Sequence, residues 1–139
     1  MDNTANLVAK LNYRMQSFIV DNLEEQGIHG IVPSHGAIVL SLVKDKTLTM
    51  NELSKKIDKD PSTVTCLVKK LTNIGYTVIN KDESDKRSIL VSLTPKGHQL
   101  VDSIIDISSN LYQQQFVNFQ ESEIITFRTL LEKMMQNFD

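Results

Sequence analysis

Cysteine is almost missing from this chain of 139 residues: Cys66 stands alone, so no internal disulfide can form. Histidine is nearly as scarce, and His29, His35 and His98 fall at no spacing that would hold a metal with cysteine partners. A disulfide scaffold and a zinc finger are excluded, and neither a metal nor a cofactor is expected. Long apolar runs are also lacking: stretches such as Ala37 to Leu40 are short, whereas a bilayer span needs about 20 apolar residues in succession. No membrane partner is expected. At the N-terminus Asp2 stands where a secretory signal wants positive charge, and Lys10 and Arg14 stand where it wants an apolar core, so the expectation is a cytoplasmic protein. No repeat, linker or low-complexity stretch interrupts the chain. With 40% hydrophobic and 23% charged residues it has the makeup of one compact domain with appended elements.

Catalytic signatures are lacking as well. No Ser/His/Asp ordering, glycine-rich phosphate loop or metal triad is visible. The paired acids Glu24-Glu25 and Asp82-Glu83 lie on charged stretches with no apolar pocket to perturb them. An enzyme is not expected.

What is present is an uneven charge. The net charge is −2, yet Lys44 to Lys96 holds 11 basic residues against 7 acidic, a balance of +4, which leaves −6 for the two flanks together. A basic centre between acidic ends is expected if the middle meets a polyanion while the ends do other work.

Apolar positions Leu7, Val8, Leu11, Met15, Phe18, Ile19 and Leu23 recur with the period of a helical stripe, and Gly27 and Gly30 close that helix. After Pro33, Ser34 is the expected cap of a helix that is apolar nearly all round from Ala37 to Val43, the central core helix. Thr49 and Glu52 form a capping box for a short helix ending near Asp58. Asp60-Pro61 then pairs a cap with proline at the first helical position, and Val64, Leu67, Val68 and Leu71 share one face of the helix that Gly75 stops. Strands are predicted over Tyr76 to Lys81 and Ser88 to Leu93, joined by the wholly polar Asp82 to Arg87. Thr94-Pro95 repeats the cap-plus-proline signal for a helix of about twenty residues, and a last helix should carry Ile124 to Phe138.

Three helices followed by a hairpin are the parts of a winged helix-turn-helix, whose second turn-motif helix lies in the DNA major groove. Such a helix needs an apolar face for its own domain and an opposite face of short hydrogen-bonding side chains and cations. Asp60 to Asn73 has both: Pro61, Ser62, Thr63, Thr65 and Cys66 lie off the apolar face, and Lys69 and Lys70 can meet phosphate as point charges. Asn51 on the preceding helix, and Lys81, Ser84, Lys86 and Arg87 on the hairpin, complete the candidate DNA-binding set. The fold class expected is mainly α with a small β-hairpin wing.

Three stretches extend this pattern: DPSTVTCLVKKLTNIGY from Asp60, DESDKRSILVSLTPKGHQL from Asp82, and LTMNELSKKI from Leu48. In them the chain resembles the MarR (multiple antibiotic resistance regulator) family of bacterial transcription factors, whose wing signature matches Asp85, Arg87, Leu93 and Thr94, with Lys96-Gly97 following. The resemblance implies a homodimer with interlocked terminal helices, recognition helices in successive major grooves and wing tips at the flanking minor grooves. It also implies a repressor of a pseudo-palindromic operator, with a cleft for a small aromatic effector. Arginine is weakly hydrated enough to enter a narrow minor groove, and Asp85 is placed to brace Arg87 by a paired hydrogen bond. One position departs from the pattern: where the family often has arginine after Val-Thr, this chain has Cys66. A thiol cannot make a guanidinium's bidentate bond to guanine, and an exposed thiol there offers a redox trigger instead.

The ends carry more apolar surface than a small winged domain can cover, and Leu7, Leu11, Phe18, Leu111, Phe127, Leu131, Met134 and Phe138 are the expected dimer interface. The expected division is residues 1–30 as an N-terminal dimerisation helix, 31–95 as the DNA-binding region and 96–139 as C-terminal dimerisation helices. Tyr13, Arg14 and His35 are the candidates to line the effector cleft. The alternative reading is a winged-helix module that docks a protein without binding DNA; salt dependence separates the two.

Overall fold

The computed structural model describes residues 1–85 and 87–139. Lys86, one of the candidate DNA contacts, lies outside the described residues. Six helices and three strands follow in the order α1 (Thr4–Glu25), α2 (Pro33–Asp45), β1 (Thr47–Thr49), α3 (Met50–Ile57), α4 (Pro61–Ile74), β2 (Thr77–Lys81), β3 (Ile89–Leu93), α5 (Pro95–Gln115) and α6 (Glu121–Gln136).

Local chemistry sets most boundaries. Thr49 accepts from the Glu52 amide at the start of α3, and Asp58 closes that helix in the left-handed region. Asp60 accepts from the Thr63 amide at 2.8 Å, Pro61 needs no amide partner at the first turn, and Gly75, at φ 100°, ends α4. Thr94 caps α5 through the Gly97 amide, while its own hydroxyl donates to the Gly75 carbonyl. One threonine thus joins the end of α4 to the start of α5.

Two expectations are corrected. The cap of α2 is Val32, with Pro33 at the first position, so Ser34 is already inside the helix. Val32 has no side-chain acceptor, and the turn is closed through the backbone and the imidazole: the Val32 carbonyl accepts the His35 amide at 2.9 Å and the His35 Nδ1 accepts the Val32 amide at 3.0 Å. The wing is also larger than a hairpin. Thr47–Thr49 adds a third strand, and the antiparallel order is β1-β3-β2, with Leu48 opposite Val91 and Ile79 also opposite Val91.

α2 touches α1, α3, α4, α5, β1 and β3, as a central helix should. Ile38, Val39 and Leu42 of α2 meet Leu53, Val64, Val68, Leu71 and Val91 in a core from which water is fully excluded. Each such aliphatic side chain contributes about 1.5–3 kcal/mol by leaving water. This core fixes α3 and α4 against α2 and carries the wing on β3. Burial by α1 is confined to its C-terminal end at Leu23, and α6 buries no residue in its own chain.

Candidate nucleic-acid interface

The apolar residues Val64, Val68 and Leu71 hold α4 on the core, which turns the rest of the helix outward. Pro61, Ser62, Thr63, Thr65, Cys66, Lys69 and Lys70 are all exposed. The expected two-faced helix is therefore present. In the free chain, however, the short hydroxyls already have local partners. Ser62 donates to Asp60, and Thr65 donates to the Pro61 carbonyl at 2.8 Å. Their oxygens can still accept, whereas donation to DNA needs a hydroxyl rotation. Asp60 is held below the usual carboxylate range by hydrogen bonds from Thr63 and then Ser62, so the cap stays charged at neutral pH.

Lys69 and Lys70 differ although they adjoin. At 100° per residue they flank the outward face on opposite sides, Lys69 between Thr65 and Ser62 and Lys70 between Cys66 and Thr63. The Lys70 ammonium lies 3.0 Å from the point where a β-carbon at Gly30 would stand. Asn51 is exposed on α3, beside the turn that leads to α4.

At the wing, Lys81 ends β2 and is exposed. Ser84 directs both its amide and its hydroxyl to Asp82 Oδ1, at 2.9 and 2.7 Å, which keeps the Asp82 carboxyl ionised and shapes the turn. Asp85 does not form the expected paired bond with the Arg87 guanidinium. Its Oδ1 accepts the Arg87 amide at 3.0 Å and lies 3.9 Å from Nε, leaving the Arg87 side chain 98% exposed. Aspartate here organises the turn backbone, and an ion pair this open is worth little in water. The guanidinium is left free to meet a groove.

The expected effector residues do not converge. Tyr13 is 73% exposed and Arg14 is exposed on α1, while His35 is buried beneath Val32. Burial, and then the charge of Lys70, pushes the His35 imidazole below its usual value, so it is neutral and free to accept from Val32. A cavity of about 200 Å³ opens instead between α1, α2 and α5, lined almost wholly by apolar side chains that include Ile19, Ile31, Leu40, Ile104 and Ile107. The individual signals for it were ordinary core positions, and only tertiary packing shows that they leave space. Among the described residues no group of His, Cys, Asp and Glu could hold a metal ion, and no helix is long and apolar enough to cross a membrane.

This polar recognition face beside an exposed wing arginine is the arrangement that a family model described as "Winged helix DNA-binding domain" matches over residues 36–112. The chain belongs to the winged helix DNA-binding domain family. That match covers more than half of the sequence and takes in α3, α4 and the whole wing. Beyond the winged helix, the chain is 24% identical over 111 residues to the HTH-type transcriptional regulator SarZ of Staphylococcus epidermidis, covering 80% of this chain and 74% of that protein. A crystal structure of a MarR variant from E. coli complexed with operator DNA superposes with a TM-score of 0.84 at 22% identity, covering 94% of this chain and 91% of that one. Bordetella bronchiseptica BpsR, described as regulated in DNA binding by 6-hydroxynicotinic acid, gives 0.83 at 20% identity, with the same coverage of 94% and 91%. The winged helix and its terminal helices thus share the fold of MarR regulators across nearly the whole chain, as the three sequence stretches implied. These relatives are regulators by description, and the winged helix family is one of DNA binders, not of enzymes.

Proposed function

We propose that this chain is a sequence-specific transcriptional regulator that acts as a homodimeric repressor on a pseudo-palindromic operator. One observation carries the reading: the exposed ridge of α4, from Ser62 through Cys66 to Lys69, stands clear of the core beside a wing whose Arg87 side chain is almost fully solvated. A helix with that face fits a major groove, and a solvated arginine at a strand turn fits the narrower groove alongside. The operator-bound neighbour of the same fold supports the docking mode. The terminal helices support dimerisation, because Leu7, Leu11, Met134 and Phe138 are exposed and Phe127 borders the same apolar groove as Leu7, Leu11 and Leu131.

Release follows from one of two triggers, each with a place in the fold. A small aromatic molecule suits the apolar cavity, since about 150 Å³ of apolar space accommodates a benzene ring. Oxidation of the exposed Cys66 would instead put new polar bulk on the recognition ridge.

A mobility-shift titration on the DNA upstream of the chain's own gene, repeated across a salt series, tests the reading. Binding should weaken steeply with salt, and Arg87→Ala should flatten the dependence. Binding that is indifferent to salt, or absent while an unrelated protein is captured, would point to a protein-docking module. Peroxide should weaken the parent and spare Cys66→Ser; equal sensitivity removes the redox trigger.

A further inference from the structure

Lys70 reads in sequence as one of a lysine pair on a DNA-facing helix, yet its side chain is turned toward a different part of the molecule. Four observations coincide there. First, the two lysines stand 100° apart on opposite flanks of the outward face of α4, Lys69 on the Thr65 side and Lys70 on the Thr63 side. Second, the Lys70 ammonium and its Cε lie 3.0 and 3.4 Å from the place of a β-carbon at Gly30, so a side chain there would press the tip of Lys70 outward by a few tenths of an ångström. Third, Gly30 sits at φ 74°, in the loop between α1 and α2, a conformation that itself favours glycine. Fourth, the next residue, Ile31, is buried and forms part of the wall of the apolar cavity.

We infer that Lys70 is a positioning residue: it props the recognition helix against the Gly30 loop and sets the angle at which α4 meets DNA, while Lys69 neutralises phosphate. The inference deepens the DNA-binding reading and rests on it. It divides two lysines that composition treats alike. It also gives the cavity a mechanical route to the DNA face, because a molecule that displaces Ile31 moves Gly30 against the tip of Lys70, a contact between a loop and a helix forty residues apart in sequence. The influence of the Lys70 charge on the buried His35 imidazole, one turn into α2, is a second sign that the ammonium sits over this loop.

The experiment uses the full-length protein and a duplex that the parent enriches from a random pool, with the binding-competent fraction of each preparation titrated first. Affinity is measured from low to moderate salt for the parent, Lys69→Ala, Lys70→Met, Gly30→Ala and the Lys70→Met/Gly30→Ala double variant. Each phosphate that the protein ceases to neutralise lowers the slope of log affinity against log salt by about 0.9. Lys69→Ala should show that drop in each subunit. Lys70→Met should keep the parental slope and lose roughly 5- to 20-fold in affinity at every salt concentration, a size typical of coupling between packed elements. Gly30→Ala should do the same, and the double variant should lose little more, as expected when both changes break one contact. If Gly30→Ala does not fold, the slope of Lys70→Met decides alone. A slope for Lys70→Met reduced as much as that of Lys69→Ala overturns the inference, as do parental affinity in Lys70→Met or fully additive losses in the double variant. A parent that enriches no duplex is a different failure, since it removes the DNA-binding reading itself before any variant is compared.

Discussion

At the scale of single residues, the tightest constraint falls on Gly97. A β-carbon built there would stand 2.1 Å from the Tyr76 carbonyl oxygen and 3.1 Å from the Leu93 side chain. That carbonyl also accepts the Thr94 amide at 3.1 Å, so it cannot withdraw without releasing the start of α5. Gly97→Ala should therefore destabilise the protein by roughly 2–3 kcal/mol, the upper range for overpacking, which a urea titration would register as a lower midpoint at unchanged slope. A midpoint equal to the parent's would show that the wing and α5 slide apart freely.

His35 makes stability depend on pH. Its imidazole is held neutral below the ordinary value of 6.5 by burial and then by Lys70, and its Nδ1 is engaged as an acceptor from Val32. The unfolded chain binds a proton near 6.5 that the folded chain refuses, so the unfolded state holds more protons in that range and stability rises with pH. The contribution is complete above about 6.5 and is lost as pH falls from there toward the lowered folded value. The melting temperature of the parent should fall more steeply from about pH 7 to about pH 5 than that of His35→Gln, whose amide oxygen can accept from Val32 without titrating. Parallel curves would mean that His35 becomes protonated in place.

At the scale of elements, Thr94 couples three of them. Its hydroxyl accepts from Gly97 to begin α5 and donates to Gly75 to finish α4, directly after β3 ends at Leu93. Thr94→Ala removes both bonds and should cost about 1–2 kcal/mol, whereas Thr94→Ser should recover most of it. Amide exchange in the first turn of α5 and at the end of α4 should accelerate together in the alanine variant; acceleration confined to α5 would reduce Thr94 to an ordinary cap. This threonine also shows which features were legible in the sequence. Asp60-Pro61, Thr94-Pro95 and Thr49 with Glu52 are complete within four residues, so their helices begin where the pattern places them. The wing's polar turn and the two-faced α4 were legible for the same reason. By contrast, Thr47–Thr49 is too short to show an alternation and is a strand only because β3 pairs with it. The cap at Val32 is closed by a histidine three residues on, whose ring accepts the Val32 amide, whereas residue preference points to Ser34 as the cap. The Lys70 and Gly30 contact, and the cavity, lie between parts of the chain that no local window brings together.

At the scale of the whole molecule, the winged helix is a closed core and the ends are not. Leu7, Leu11, Met134 and Phe138 are exposed, the last at 87%, and an aromatic chain of Tyr112, Phe116, Phe119 and Phe127 runs from α5 through the connecting turn to α6 with edge-to-face contacts. If a second copy covers this surface, Leu131→Glu together with Leu11→Glu should yield a monomer by sedimentation, with operator affinity reduced at least about 100-fold because one recognition helix must then act alone. A double variant that still sediments as a dimer would place the interface elsewhere.

The 16 residues of α6 have no interior of their own to return to. For a self-associating chain, their order becomes a property of how many copies are present: diluting the protein would lower its melting point, and a ligand-free chain at the scarcity typical of regulators would spend part of its time with loosened ends. Abundance would then set the supply of competent reading heads, before any inducer arrives.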